Sequence, residues 1–235
     1  MAIEWSIGGQ FILLDEMRRE LVELDAFGEI RLSSGLGNSS QLFQEITWFG
    51  VSPSGLQVVD RLSNEITHLD FNLNPVDGFS INPKIFPELG AIDSWGRTFL
   101  YSRTYNQIFL LENNQLIQHP FVDFTREFGK TVCLQDLAIN EKGEIGLLDC
   151  NGTVILLSEV GQLMWTLTPE IPQPEYLVAI RGQWFVFNRD GDGHSLNSQD
   201  IITIPGASVP VIDIATMNRS LAILAKDHIL ILNVQ

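Results

Sequence analysis

One short pattern returns along the whole chain: an apolar run that closes on Asp or on a small residue. It reads Phe11-Ile12-Leu13-Leu14-Asp15, then Leu56-Gln57-Val58-Val59-Asp60, then Phe99-Leu100-Tyr101-Ser102. The second half continues with Ile145-Gly146-Leu147-Leu148-Asp149, Trp184-Phe185-Val186-Phe187-Asn188 and Leu221-Ala222-Ile223-Leu224-Ala225. The closing residues stand 45, 42, 47, 39 and 37 positions apart. A period of this length marks a repeat architecture, in which each copy is one supersecondary unit that buries itself only against its neighbours.

What surrounds each run defines that unit. Turns such as Pro53-Ser54-Gly55, Trp95-Gly96, Glu141-Lys142-Gly143 and Asn218-Arg219 precede it, and before them stand apolar segments such as Leu137-Ala138-Ile139 and Ile214-Ala215. A third apolar segment follows at 21–24, 66–69, 108–111, 154–157 and 229–232, and a fourth after another turn, as at 29–32 and 163–167. Four short strands joined by tight turns make one blade. A blade needs cover on both faces, so its strands read as continuous apolar runs instead of alternating. The expected fold is all-β: one β-propeller domain over residues 1–235, with about six blades and an incomplete last one; five blades is the alternative. Leu14, Met17, Leu21, Val22 and Leu24 also fit helical spacing, but the same positions align with strands in the other copies.

The fourth copy, Asp136-Leu137-Ala138-Ile139-Asn140-Glu141-Lys142-Gly143-Glu144-Ile145-Gly146-Leu147-Leu148-Asp149, resembles the repeat of six-bladed propellers of the NHL and TolB-like type. Those repeats place Asp before the inner strand, Gly in the first turn and Asp at the close of the second strand. The resemblance covers the chain as architecture and implies nothing narrower.

The sixth copy stops early. After its third segment, 228–233, only Val234 and Gln235 remain, and 2–7 is already needed as the inner strand of the first copy. Ile229, Leu230, Ile231 and Leu232 carry no charge among them. They would thus form an unguarded edge, a site for strand addition by a protein partner.

Fourteen basic against twenty-nine acidic residues give a net charge of −15, which repels phosphate backbones and anionic headgroups, so nucleic acid is not an expected partner. No window is apolar for long enough to span a membrane. If Met1 is the native start the expectation is a cytoplasmic protein; if a signal peptide has been removed, an extracytoplasmic one.

Several residues are candidates for chemistry. Asn188-Arg189-Asp190-Gly191-Asp192-Gly193 matches the start of a calcium loop, with Asn188, Asp190 and Asp192 as ligands. Position twelve is Gln199 where such loops carry Glu, and the repeat makes the segment a hairpin turn, its first reading. Ca2+ there is the one cofactor suggested. Asp136 and Asp213 align at the inner strand, where the lactonase-like relatives of such propellers hold a divalent ion in the central channel. The aligned residues in copies two and three are Trp48 and Leu89, which cannot ligate. His68, His119, His194 and His228 show no ligand spacing, no Ser or Cys sits in a nucleophile elbow, and Ser34-Gly35-Leu36-Gly37 precedes no helix pattern. Cys133 and Cys150 are expected as free thiols. If Ile139 pairs with Glu144 across a four-residue turn, the register sets them opposite each other, and a cross-strand disulfide becomes the alternative in an oxidising compartment.

Long connectors are expected at 71–89, 119–131 and 168–175, two of them rich in Phe: Phe79, Phe86, Phe121, Phe124 and Phe128. Part of that aromatic content pins the loops, and the rest offers partner-binding anchors. The expected function is a non-catalytic scaffold for protein–protein interaction. The alternative is a metal-dependent lactonase-like hydrolase, and the third reading a carbohydrate-binding module, which would need exposed aromatics on one face.

Overall fold

The apolar runs form strands because β-branched and aromatic side chains pack well on a pleated, covered surface. A computed structural model describes residues 1–6, 8–15, 17–25, 27–34, 43–198 and 200–234; Gly35, Leu36, Gly37 and Gln199, weighed above, lie outside them. The first sheet joins β1 (Ala2–Trp5), β2 (Phe11–Asp15), β3 (Glu20–Leu24) and β4 (Ile30–Ser33), in that order. The second joins β5 (Ile46–Ser52), β6 (Gly55–Asp60), β7 (Glu65–Leu69) and β8 (Pro75–Ser80). In the third, β9 (Leu89–Ile92), β10 (Thr98–Ser102) and β11 (Gln107–Glu112) are extended by β12 (Gln115–Leu116) and by β13 (Val122–Asp123), which leads into the short helix α1 (Phe124–Phe128).

The fourth sheet is β14 (Leu134–Ile139), β15 (Ile145–Asp149), β16 (Val154–Leu157) and β17 (Leu163–Leu167). The fifth is β18 (Tyr176–Ile180), β19 (Gln183–Phe187), β20 (Asp192–Ser195) and β21 (Ile201–Thr203). The sixth has three strands among the described residues: β22 (Asp213–Met217), β23 (Ser220–Leu224) and β24 (Ile229–Asn233). All pairs are antiparallel, and the six small sheets are the blades of a six-bladed β-propeller. Contacts cluster into two compact units: Met1 with 3–131, and 132–235 with Ala2.

Burial follows strand position. The second strands β6, β10 and β15 are buried at every residue, whereas the fourth strands β8 and β17 are largely exposed. This is why the second strand dominates the sequence pattern. It also hid β8, which lies inside the expected connector 71–89: its Pro, Asp and Gly carry little apolar signal, and only Phe79 packs inward, against a cluster holding Val59, Ile66 and Phe109. The helical spacing at 14–24 is overturned, since Leu14 pairs with Leu21 across the β2–β3 hairpin.

Blades in one unit are keyed together by repeated devices. In the first unit the Trp48 ring lies over Gly90, where a Cβ would meet the ring at 2.5 Å, and the Thr98 hydroxyl donates to Gln57 at 2.7 Å. In the second unit Trp184 lies over Gly146 in the same way. Tyr176 carries its hydroxyl to within 2.9 Å of the carbonyls of Val211 and Ile212.

The strands are joined by one five-residue turn used many times. In Asn140–Glu144 the first residue's amide donates to the fifth carbonyl at 3.1 Å, the fourth amide returns to the first carbonyl at 3.0 Å, and Asn140 Oδ1 accepts from the amides of Lys142 and Glu144. The same scheme holds at 25–29, 70–74, 93–97 and 149–153. Asp or Asn opens each turn because its short side chain caps the amides two and four residues on. Position four has a left-handed backbone, as in Gly28, Gly96 and Gly143.

This turn corrects the register expected for the fourth copy. Ile139 pairs with Ile145 and not with Glu144, and a bulge between Leu134 and Asp136 then shifts the ladder back by one. Cys133 and Cys150 still face each other, with a backbone bond of 2.9 Å between them. The expected free thiol pair is a disulfide: the Cα atoms stand 5.4 Å apart, within the span the bond requires.

Candidate functional site

β24 stands third in its sheet, a position that is buried at every residue in β16. Here the pattern is half-buried or exposed throughout, and Ile231 is 49% exposed. Leu230, Leu232 and Val234 turn to one side and pack against a cluster holding Phe185, Phe187, Val211 and Ile223. The ladder's parity fixes the rest. The Val234 amide donates to Arg219 and the Ala225 amide to His228, so the pairs Leu221–Leu232 and Ile223–Leu230 are the hydrogen-bonded ones. Ile229, Ile231 and Asn233 therefore direct their N–H and C=O groups outward. No strand pairs with that edge among the described residues.

The start of β24 is held by a chain of side chains that the sequence did not announce. His228 Nδ1 lies 2.8 Å from Asp227 Oδ1, and its Nε2 lies 2.9 Å from Ser208 Oγ, in a 3-10 turn at Gly206–Ser208. With Nδ1–H donating to the carboxylate, Nε2 of the neutral ring accepts from the hydroxyl. This order of groups resembles that of a hydrolytic triad, but its exposure is inverted. Ser208 is 2% exposed, while the Asp227 side chain is 85% exposed. The set works as a latch between the 3-10 turn and the β23–β24 hairpin. The His228 hydrogen bond holds the Asp227 carboxyl below its ordinary value.

Asp136 and Asp213 each accept a hydrogen bond from the amide of the next residue in their strand. Asp136 accepts from its neighbour Leu137 at 2.8 Å with one oxygen and from Leu177 of the next blade at 2.7 Å with the other. The residue keeps some accessible surface, yet it is set deep among protein atoms, and burial outweighs the two amide bonds to raise its carboxyl to about 6. Asp213 makes the equivalent bond to Ile214 at 2.9 Å. Asn188 opens a turn of the recurrent type: its Oδ1 accepts from the Asp192 amide at 2.9 Å, and its Nδ2 donates to Pro172 at 3.1 Å. Among the described residues no three His, Cys, Asp or Glu side chains form a metal-ligating group.

The five phenylalanines have different fates. Phe124 is fully buried in α1 and Phe128 stacks on it at 5.8 Å, while Phe121 meets Phe99 edge-on at 4.9 Å. Phe79 is half-buried on β8, and Phe86 is 37% exposed. The strongly exposed aromatics lie elsewhere, at turn tips of the first unit: Phe27 at 91%, Trp95 at 61%, Tyr105 at 47% and Phe71 at 42%. For Phe27, Trp95 and Phe71 the signal in the sequence is an aromatic inside an Asp-led turn, where the turn itself asks for none; Tyr105 sits in the turn after Ser102. The connector at 168–175 borders a cleft of about 440 Å³, lined by Asp149, Cys150, Asn151 and Gln173 among others.

The fold defines the class, a six-bladed β-propeller whose last blade has three strands among the described residues. No family model matches the sequence, and no curated protein matches it. Solved structures do. YCF48 bound to D1 peptide superposes over 100% of this chain and 78% of its own, with TM-score 0.67 and 13% identity. Virginiamycin B lyase from Staphylococcus aureus covers 100% of this chain and 84% of its own, with TM-score 0.62 and 12% identity. The Pan2 WD40 domain of Neurospora crassa covers 99% and 74%, with TM-score 0.64 and 9% identity. At these identities the likeness is one of fold, and it spans a lyase, a peptide-bound protein and a WD40 domain alike.

Proposed function

We propose that this chain is a non-catalytic propeller that binds another protein by taking an extended segment of it as the fourth strand of the last blade. The observation that carries this reading is β24: a third-position strand with Ile229, Ile231 and Asn233 facing outward and no charged side chain along it. Main-chain hydrogen bonds would supply affinity, and the apolar side chains along the edge would favour apolar residues at the segment's alternate positions. Propellers of similar fold that take protein partners support it, namely YCF48 bound to D1 peptide and BBS1N in complex with ARL6DN.

The test uses Ile231→Pro. Proline at 231 removes an N–H that points away from β23, so the sheet keeps its own bonds while the edge loses a donor. Peptides selected from a random twelve-residue library on the native protein should protect the amides of Ile229, Ile231 and Asn233 from hydrogen exchange. They should fail to bind the variant, whose circular dichroism is unchanged. Selected peptides that bind both proteins equally sink the reading.

A further inference from the structure

Phe27 is 91% exposed at the tip of the turn 25–29, and nothing in the fold explains it. The turn is set by Asp25, whose carboxylate accepts from the amides of Phe27 at 2.8 Å and Glu29 at 3.0 Å, and by Gly28 at φ +81°. The third position needs no large apolar group, and leaving a phenyl ring in water forgoes the benefit of burying it.

A second turn in the same unit shows what such a ring can be for. In 93–97 the same positions carry Asp93, Trp95 and Arg97. The Arg97 guanidinium donates to Asp93 Oδ2 at 2.6 Å and lies 5.3 Å from the centre of the Trp95 ring. Carboxylate, aromatic face and cation complete one another there. The turn 25–29 has the carboxylate and the ring, but its fifth position is Glu29. Every Lys, Arg and His of the chain lies among the described residues, and none of them pairs with Asp25 or Glu29. Both turns sit at the same end of their sheets, since one joins first and second strands and the other third and fourth. Phe71, in the Asp70-led turn between β7 and β8, is at that end too.

We infer that the turn 25–29 docks a cationic side chain of a protein partner, an arginine or lysine laid over Phe27 and paired with Asp25 and Glu29, as Arg97 is held within its own turn. Charge complementarity selects this occupant: the turn that presents the ring also carries two carboxylates, in a chain of net charge −15. A neutral sugar would stack on the ring without using them. The contact is exposed and so weak by itself, one anchor of a larger interface.

The probe is hexa-arginine, followed through the amide NMR signals of 25–29. These signals should shift on titration, and the affinity should fall as salt rises from about 20 to about 150 mM. Phe27→Ala should weaken binding about fivefold. Glu29→Arg, which gives this turn the cation that 93–97 already has, should weaken it at least as much. Glu159→Arg, an exposed charge-matched change in the other unit, should change it less than about twofold. Equal affinity in native protein and Glu29→Arg overturns the inference, as does a loss just as large in Glu159→Arg. Shifts at 25–29 produced by cellohexaose but not by hexa-arginine also overturn it, in favour of a sugar platform. Ile231→Pro leaves this site intact and should bind hexa-arginine like the native protein, so failure at the β24 edge and failure here are read separately.

Discussion

Gly146 shows how little slack the blade contacts leave. A Cβ built there would come within 2.4 Å of the Trp184 ring and 2.9 Å of Leu177, all in the second unit. Gly146→Ala should therefore cost about 1–3 kcal/mol through overpacking. Gly206→Ala meets nothing within 4 Å and should be near neutral, and urea titrations of both variants check the contrast. Asp136 makes a second residue-scale case, because its carboxyl is raised to about 6, mainly by burial. A raised folded value means that the folded state holds its proton more tightly than the unfolded one. The stability it contributes is complete below the unfolded value near 3.8 and is lost as pH rises through about 6. Asp136→Asn removes that titration and one of two acceptors, a constant deficit of about 1–2 kcal/mol. The native protein should lead the variant most at pH 4, and by pH 7 the balance should move by about 2–3 kcal/mol toward the variant, enough to cancel or reverse that lead. A lead that is flat or widening between those pH values would refute the assignment.

Whole strands were legible where burial was complete, and the reasons for the misses are local. The second strands announced themselves as unbroken apolar runs, since both faces of β6, β10 and β15 are covered. β8 did not, because an outer strand with one dry side carries Pro75, Asp77 and Gly78 without penalty. A four-residue turn differs by one residue from the hairpin at 140–144 because Asn140 caps a five-residue turn, and the bulge at 134–136 then restores the register of Cys133 and Cys150. Spacing alone could not reveal either. Nor could it bring Ser208 to His228, twenty residues apart. The disulfide across β14 and β15 belongs to this scale. It spans a sequence separation of 17, so replacing both Cys133 and Cys150 by Ser should cost about 3 kcal/mol, largely through the unfolded chain. The measurement is denaturant unfolding of the native protein with and without reductant. The double variant should match the reduced form and be indifferent to reductant.

At the scale of the molecule two properties oppose each other, an apolar strand edge and a high net charge of one sign. The charge of −15 should keep copies apart at neutral pH, because repulsion acts before short-range edge pairing can form. Self-pairing about Ile231 would set Leu230 of one copy against Leu232 of the other, so the edge is chemically suited to its own kind once repulsion fades. Lowering the pH protonates carboxylates and brings the net charge to zero near the isoelectric value of about 4.5. Light scattering at moderate salt should accordingly stay flat from pH 8 to about 6 and rise toward 4.5. If the β24 edge drives the rise, Ile231→Lys, which sets a charge on a side chain already 49% exposed, should suppress most of it with little effect on stability at pH 7. Glu159→Lys changes the net charge in the same direction at a remote turn and should not suppress it. Equal scattering from native protein and Ile231→Lys at pH 4.5 would place the association elsewhere on the surface and remove self-pairing from the properties of this edge.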